Sequence, residues 1–403
     1  MTYKETLAWM YAQLPMYQKN GKSAYTAKLD NIQRLAEHLR HPEQKFKSIH
    51  IAGTNGKGSS SHMLASILQE AGYTVGLYTS PHLKDFRERI RINGKPVDLK
   101  FVTEFITRHR AYFETSHLSF FEMTVGMAFD YFAKKKVDIA IIEVGMGGRL
   151  DSTNIVLPEV SLITNIGLDH TDILGETLEA IAHEKAGIIK EGIPVVVSET
   201  QEETKDVFKS IASHRHAPLV YADQMAHKVY QTDLLGNYQS RNIKGVLAVL
   251  QQLKGFKVQQ KHIVKGLRNV VKNTGLKGRW QLLGTRPMVV CDTAHNAEGL
   301  SLVIDQILQQ KFEGLHFVLG FVKEKKLEGV MPLLPKNAIY YFCRPKIARG
   351  LDEKVLKQNA EGYGLHGKAY SSVRKALGAA KRNASAKDFI FVGGSNFVVA
   401  EVV

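Results

Sequence analysis

Cysteine is almost absent from this chain. Cys291 and Cys343 are the only two in 403 residues. They stand far apart and outside any metal-type spacing, so neither a disulfide framework nor a zinc site is expected, and both read as ordinary thiols. Long apolar runs are missing too. Nothing approaches the ~20 residues that span a bilayer, and the opening MTYKETLAWMYAQ lacks the charged, apolar and small-residue order of a signal peptide. A cytoplasmic protein with no membrane partner is expected. Internal repeats and low-complexity tracts are lacking, which removes solenoid and fibrous architectures. A G-x-S-x-G motif is lacking as well, so nothing points to a serine nucleophile.

Apolar material and positive charge are plentiful. With 44% hydrophobic residues the chain can build real cores, and its length suggests two to three domains. Lys and Arg outnumber Asp and Glu by 54 to 39, a formal net charge of +15. Nucleic acid is one partner for such a charge. However, the basic residues are scattered, and the densest run, Lys134 to Lys136, reads as a solvated helix end. No nucleic-acid-binding signature accompanies them. An enzyme whose substrates are all polyanions fits better, because positive potential draws them in.

GTNGKGS, Gly53 to Ser59, organises the rest of the chain. It lies between an apolar, β-branched run (Ser48 to Ala52) and a helix-like run (Ser60 to Gly72). Strand, glycine-rich turn and helix form a phosphate cradle: glycines let backbone N–H groups approach an anion, the helix N-terminus adds its dipole, and Lys57 supplies a mobile charge. The usual G-x-x-x-x-G-K-[ST] pattern is varied, with Ile51 at the first glycine position and Gly58 between Lys57 and Ser59. A plain strand-to-helix turn is the bland alternative.

Further strands are expected over Thr74–Ser80, Val137–Gly145 and Val160–Gly167, alternating with helices over Leu99–Tyr112, Glu122–Lys135 and Glu176–Lys190. Asn93-Gly94 signals a hairpin, and Lys19 to Lys28 reads as a polar loop. The alternation implies a mostly parallel, doubly wound sheet. From Glu203 to Gly275 the pattern weakens into short helices and polar links. A second, smaller Rossmann-like α/β unit is expected from residue 285, opening with PMVVCDTAHNAEG, so the domains read as 1–284 and 285–403.

A phosphate loop calls for magnesium, since the charge on a triphosphate must be neutralised. Ser80, Glu143 and His170 all fall at strand ends of one sheet, where ligands of open α/β sheets bind. Singly each has a plain reading: a turn cap, an edge carboxylate, a polar residue beside Asp169. Lys185 lies in a largely apolar helix, either snorkelling to the surface or buried and therefore paired, neutral or modified.

Taken in order, GTNGKGS, TSPHL, EVGMGGRLDSTN, ITNIGLDHTDILG, HEKAGI, LLGNYQSRN and DTAHN resemble the bacterial folylpolyglutamate synthase and dihydrofolate synthase family, within the wider Mur ligase group. The resemblance implies an ATP-dependent amide ligase that adds L-glutamate to dihydropteroate and to reduced folates. Gly53, Thr54, Asn55, Gly56, Lys57, Gly58 and Ser59 would hold the ATP phosphates. Ser80, Glu143 and His170 would be magnesium ligands, with Glu143 and His170 serving a second ion. Lys185 matches a carbamylated lysine, which would turn a costly buried cation into an anionic metal ligand. Asn237, Arg279 and Asp292 match nucleotide-holding residues, and His295 a residue for glutamate. Ser119, Phe120, Phe121 and Glu122, with Leu150, Asp151 and Ser152, match segments that contact the pterin, although a Phe pair packs cores equally well. Gln13 to Met16 is a looser match. Thr293 and Ala297 depart from the commoner Asp-Gly-Ala-His-Asn-Pro. A monomer is expected, closing its second domain over the nucleotide. A ligase with a cell-wall substrate, a P-loop NTPase and a basic nucleic-acid binder are the rival readings.

Overall fold

Strand β1 (Lys47–Ala52) is buried at every position but the first, as a strand covered on both faces must be. The computed structural model, which describes residues 1–13, 28–226 and 228–403, continues with β2 (Val75–Tyr78), β3 (Ile90–Ile92), β4 (Lys95–Pro96) and β5 (Ile139–Glu143). Then follow β6 (Val160–Ile163), β7 (Val195–Val197) and β8 (Leu219–Tyr221). These eight form one sheet of order β4-β3-β2-β5-β1-β6-β7-β8. From β2 to β8 all neighbours are parallel. At the other end β3 and β4 form an antiparallel hairpin, and both turn residues, Asn93 and Gly94, have positive φ, as a tight hairpin turn requires. Residues 14–16 of the loose Gln13–Met16 match and 19–27 of the expected polar loop lie outside the described residues.

The two sides of this sheet are filled by different helices. Helix Lys57–Glu70 packs on β1, β2 and β5. Helix Phe120–Lys135 buries Met123, Met127 and Phe129 in one apolar cluster with Ala140 and Ile142 of β5. Each large side chain so buried contributes about 1.5–3 kcal/mol. That helix starts where Ser119 and Glu122 cap each other: Glu122 N–H donates to Ser119 Oγ at 3.2 Å and Ser119 N–H to Glu122 Oε2 at 2.6 Å, the reciprocal box that an S-x-x-E pattern encodes.

A second sheet comprises β9 (Gln281–Thr285), β10 (Met288–Cys291), β11 (Leu315–Leu319), β12 (Ile339–Cys343), β13 (Gly367–Tyr370) and β14 (Phe389–Gly393). Its order is β13-β12-β11-β14-β10-β9, parallel except for the β9–β10 hairpin. Burial on both faces is visible in β14: Phe389 and Phe391 join one core, Ile390 and Val392 the other. The chain divides into a unit of residues 1–233 and 240–275 and a unit of residues 234–239 and 276–403. The expected boundary at residue 284 falls inside β9, whose hydrogen bonds to β10 tie it to the second sheet. Residues 234–239 reach that unit from the middle of the first.

Candidate active site

The glycine-rich turn leaves the carboxyl end of β1 in a conformation that other residues adopt only under strain. Gly53 has φ +144° and Gly56 φ +88°, and both are hemmed in. A Cβ at Gly53 would stand 1.8 Å from Thr164 Oγ1, and one at Gly56 2.3 Å from Asn242 Oδ1. The segment after β6 clamps the turn: Thr54 N–H donates to the Asn165 carbonyl and Asn55 N–H to Asn165 Oδ1, both at 2.8 Å, while Thr164 Oγ1 donates to the Asn55 carbonyl at 2.5 Å. Thr164, Asn165 and Asn242 were not singled out in the sequence, although ITNIG and QSRN contain them. Gly53→Ala is expected to cost about 1–3 kcal/mol of strain and to abolish ATP-dependent turnover. Thermal unfolding and phosphate release check this, and wild-type behaviour in both would contradict so tight a seat.

Two lysines converge on one carbonyl of this turn. Lys57 Nζ donates to the Gly53 oxygen at 2.7 Å and to the Thr54 oxygen at 3.1 Å, and Lys185 Nζ donates to the same Gly53 oxygen at 3.0 Å. Lys185 is 4% exposed, so it is buried, not snorkelling. Burial first and the Lys57 charge second depress its amine to about 7, against the opposing pull of Asp169 and Asp151.

The sheet register brings Glu143 to the same edge. Ile51 of β1 pairs with Glu143 of β5, and Ala52 with Ile163 of β6. Glu143 is 4% exposed, and its Oε2 accepts the Ser80 N–H at 3.2 Å. His170 has φ +50° and caps a short helix (Thr171–Leu174), its N–H donating to Asp169 Oδ1 at 3.1 Å. Among the described residues no three His, Cys, Asp or Glu side chains gather as a metal site. A magnesium site built on Glu143 and His170 would therefore need a hydroxyl and a modified lysine as further ligands. Hard oxygen donors with one imidazole suit a divalent cation such as magnesium.

The segments expected at the pterin divide. Ser119 and Glu122 are engaged with each other as a helix cap. Phe120 is 2% exposed, 5.5 Å from the Tyr11 ring and under the Arg89 guanidinium at 5.4 Å. Phe121 is only partly buried and lies against Gly145, where a Cβ would meet its Cζ at 2.4 Å. Asp151 is spent internally, accepting N–H donors from Gly145, Met146 and Thr153. Ser152 is buried in the short helical turn that Asp151 caps, and Leu150 precedes it. Arg89, also missed in the sequence, is 3% exposed and donates from Nε to His82 Nδ1 at 2.8 Å.

The remaining site candidates lie in the second unit. Asp292 clasps three segments there: Oδ2 accepts Tyr238 O–H at 2.6 Å and Trp280 N–H at 2.7 Å, and Oδ1 accepts Ala294 N–H at 2.8 Å. Asn237 N–H donates to Gln306 Oε1 at 2.7 Å, and Arg279 to its neighbour's carbonyl at 3.4 Å. Thr293, which stands where glycine is commoner, uses both N–H and Oγ1 to bond the Gly278 carbonyl at 3.0 Å. His295 Nδ1 lies 3.0 Å from the Thr293 carbonyl. A carbonyl only accepts, so that nitrogen carries a hydrogen.

A lysine seated on a glycine-rich turn and a second α/β unit further along the chain are features of nucleotide-binding enzymes, and the family models give the class as a Mur-type ligase. Residues 51–270 match the Mur ligase middle domain and residues 278–396 the Mur ligase glutamate ligase domain. The chain is 35% identical over 387 residues to the dihydrofolate synthase/folylpolyglutamate synthase of Bacillus subtilis, covering 87% of this chain and 88% of that protein. It is 33% identical over 404 residues to a probable bifunctional folylpolyglutamate synthase/dihydropteroate synthase of Haloferax volcanii, covering 92% of this chain but 47% of the relative; it thus spans about half of that protein's length. Among solved structures, E. coli FolC in complex with DHPP and ADP superposes with TM-score 0.89 at 28% identity, covering 100% of this chain and 97% of the other. A bifunctional folylpolyglutamate synthase/dihydrofolate synthase with Mn, AMPPNP and L-glutamate bound gives TM-score 0.85 at 28% identity, with the same coverage. The chain belongs to the dihydrofolate synthase/folylpolyglutamate synthase family of Mur ligases.

Proposed function

We propose that this chain is an ATP-dependent ligase that joins L-glutamate to the carboxylate of dihydropteroate and of reduced folates. The observation that carries this is the meeting of Lys57 and Lys185 on the Gly53 carbonyl, at the sheet edge where Glu143 ends β5, in a chain of this family. The terminal phosphoryl group of ATP passes to a substrate carboxylate oxygen, because a free carboxylate is a poor acceptor for an amine. The α-amine of glutamate then attacks the acyl carbon, and phosphate leaves. Lys57 and those N–H groups of the turn that are not spent on Asn165, as Thr54 and Asn55 are, would hold the phosphates and stabilise charge on the group in transfer.

A bound divalent cation supplies charge neutralisation and polarises the phosphoryl group; Ser80, Glu143 and His170 would hold magnesium, with a second ion near Glu143 and His170. Lys185, with its amine depressed to about 7 by burial and the Lys57 charge, has far more of the neutral form that reacts with carbon dioxide than an ordinary lysine has. The resulting carbamate would add an anionic oxygen donor. Phe121 offers a face to the pterin. Asn237, Arg279 and Asp292 would serve the nucleotide, Asp292 through the three segments it clasps, and His295 the glutamate. The reading is of a cytoplasmic monomer without nucleic acid as partner, its +15 charge serving anionic substrates. Among the described residues no helix is long and apolar enough to cross a membrane.

The test is phosphate release from Mg-ATP with L-glutamate, in the presence of dihydropteroate, tetrahydrofolate or no pterin, with products weighed by mass. Release that needs both glutamate and a pterin, with one glutamyl unit added, is expected. Turnover indifferent to both would replace the reading with that of an NTPase.

A further inference from the structure

Beneath the carboxyl ends of β1 and β5 runs a buried hydrogen-bond chain that the proposed chemistry does not use. It starts at His50, which is 0% exposed and has its Nε2 at 2.8 Å from Thr153 Oγ1. Thr153 Oγ1 is in turn 2.5 Å from Asp151 Oδ1. The other carboxylate oxygen, Oδ2, accepts the N–H groups of Gly145 at 3.0 Å and Met146 at 2.9 Å.

The direction of each bond follows from what the groups can do. Two backbone N–H groups point at Oδ2, and the Thr153 N–H points at Oδ1 from 3.0 Å, an arrangement made for an ionised carboxylate. The Thr153 hydroxyl hydrogen therefore points at Asp151, and the hydroxyl oxygen must accept from His50. That places the imidazole hydrogen on Nε2 and the lone pair on Nδ1, which is buried without a hydrogen-bond partner. Burial first and Lys190 second hold the His50 imidazole down to about 3, so it stays neutral. Burial pushes Asp151 up, opposed by its hydrogen-bond donors.

The far end of the chain is where position matters. Gly145 and Met146 directly follow the segment that carries Glu143, and Val144 N–H bonds the Ile51 carbonyl at 2.9 Å. Gly145 also has Phe121 pressed against it. An apolar side chain at position 50 would remove the orphan Nδ1, so stability alone does not call for histidine there.

We propose that His50 is a positioning residue: through Thr153 and Asp151 it fixes the backbone of Gly145 and Met146, and with it the Glu143 carboxylate and the Phe121 ring. The inference rests on the reading of Glu143 as a metal-holding residue and Phe121 as part of the pterin face.

Four variants of the full chain test it: His50→Leu, His50→Gln, Thr153→Val and the His50→Leu/Thr153→Val double. The readouts are Mn²⁺ affinity with ADP present, followed by electron paramagnetic resonance, the KM for tetrahydrofolate, and the melting temperature. His50→Leu is expected to melt no lower than the wild type yet to bind Mn²⁺ about tenfold more weakly, the scale of residues that orient a metal ligand from behind, with a raised pterin KM. Glutamine, whose amide N–H reaches the place of Nε2, restores both. Thr153→Val matches His50→Leu, and the double variant is no worse than either, because the bonds act in series.

Unchanged Mn²⁺ affinity and pterin KM in His50→Leu, or single losses that multiply in the double, would overturn the proposal. Should His50→Leu not fold, Thr153→Val carries the same comparison. A wild-type chain that binds no Mn²⁺ removes the metal reading and this proposal together; equal binding by wild type and variants removes the proposal alone.

Discussion

Lys57→Ala lowers kcat/KM for ATP by about 10³-fold, the scale expected when a cation on a transferring phosphoryl group is lost. The effect should exceed any loss of stability. Lys57 Nζ bonds two carbonyls of the turn, but the turn is also clamped by Thr164 and Asn165, so its backbone survives the truncation. Phosphate release under saturating glutamate and tetrahydrofolate, set beside thermal unfolding, separates the two effects. A second consequence comes from the neighbour: Lys57 is among the groups depressing the Lys185 amine, so its removal lets that amine hold its proton to higher pH. A Lys57→Ala protein that keeps wild-type turnover would show that the turn is only a connector.

Lys185→Ala is expected to cost about 10²–10³-fold in turnover, and its wild-type counterpart should need carbon dioxide. The amine falls from 10.5 to about 7 on folding. Below pH 7 it is charged in both folded and unfolded chains, cannot react with carbon dioxide, and carries the full cost of burial. Between pH 7 and 10.5 the unfolded chain binds the proton and the folded one does not, so this group makes stability rise with pH across that window. Turnover in carbon-dioxide-stripped buffer should therefore fall and recover with bicarbonate at pH 8, whereas at pH 6, where the amine is mostly protonated, stripping and bicarbonate should change it far less. Lys185→Ala should show neither response and a flatter dependence of melting temperature on pH. Equal turnover with and without bicarbonate would remove the carbamate.

These two lysines differ in how far the sequence revealed them. Lys57 stands in a pattern whose glycines, strand and helix each have a local physical reason, so its place on the turn could be read directly. Lys185 could not be: apolar residues at helical spacing fit a surface lysine as well as a buried one, and only the packing against the Gly53 carbonyl decides between them. Strands buried on both faces were legible from apolar, β-branched residues, nearly unbroken in β5 and β14 and interrupted by Ser48 and His50 in β1. β8 and β13 were not, because their residues are only partly covered, β8 is a run of just three, and β13 (Gly-Lys-Ala-Tyr) has no apolar run. Ser119 and Glu122 show the opposite case. Their spacing is that of a capping box, a local signal the structure realises, although resemblance pointed to the substrate. Asp151 and Asp292 sit in motifs that mark the site, yet their oxygens hold backbone and side-chain donors in place, which depends on segments far apart in sequence.

The six residues 234–239 have a practical consequence for anyone dividing this chain. A C-terminal fragment cut at Leu276 would be synthesised without Tyr238 and Asn237, leaving Asp292 without its phenol donor and Gln306 without the amide it accepts. Such a fragment carries a gap along one side that its own sequence cannot fill. A peptide spanning 234–239 added in trans, or a rearranged gene that places these codons ahead of residue 276, would supply the missing piece. Inheritance of the second unit as a simple cassette, exchanged between genes at a single junction, is correspondingly constrained.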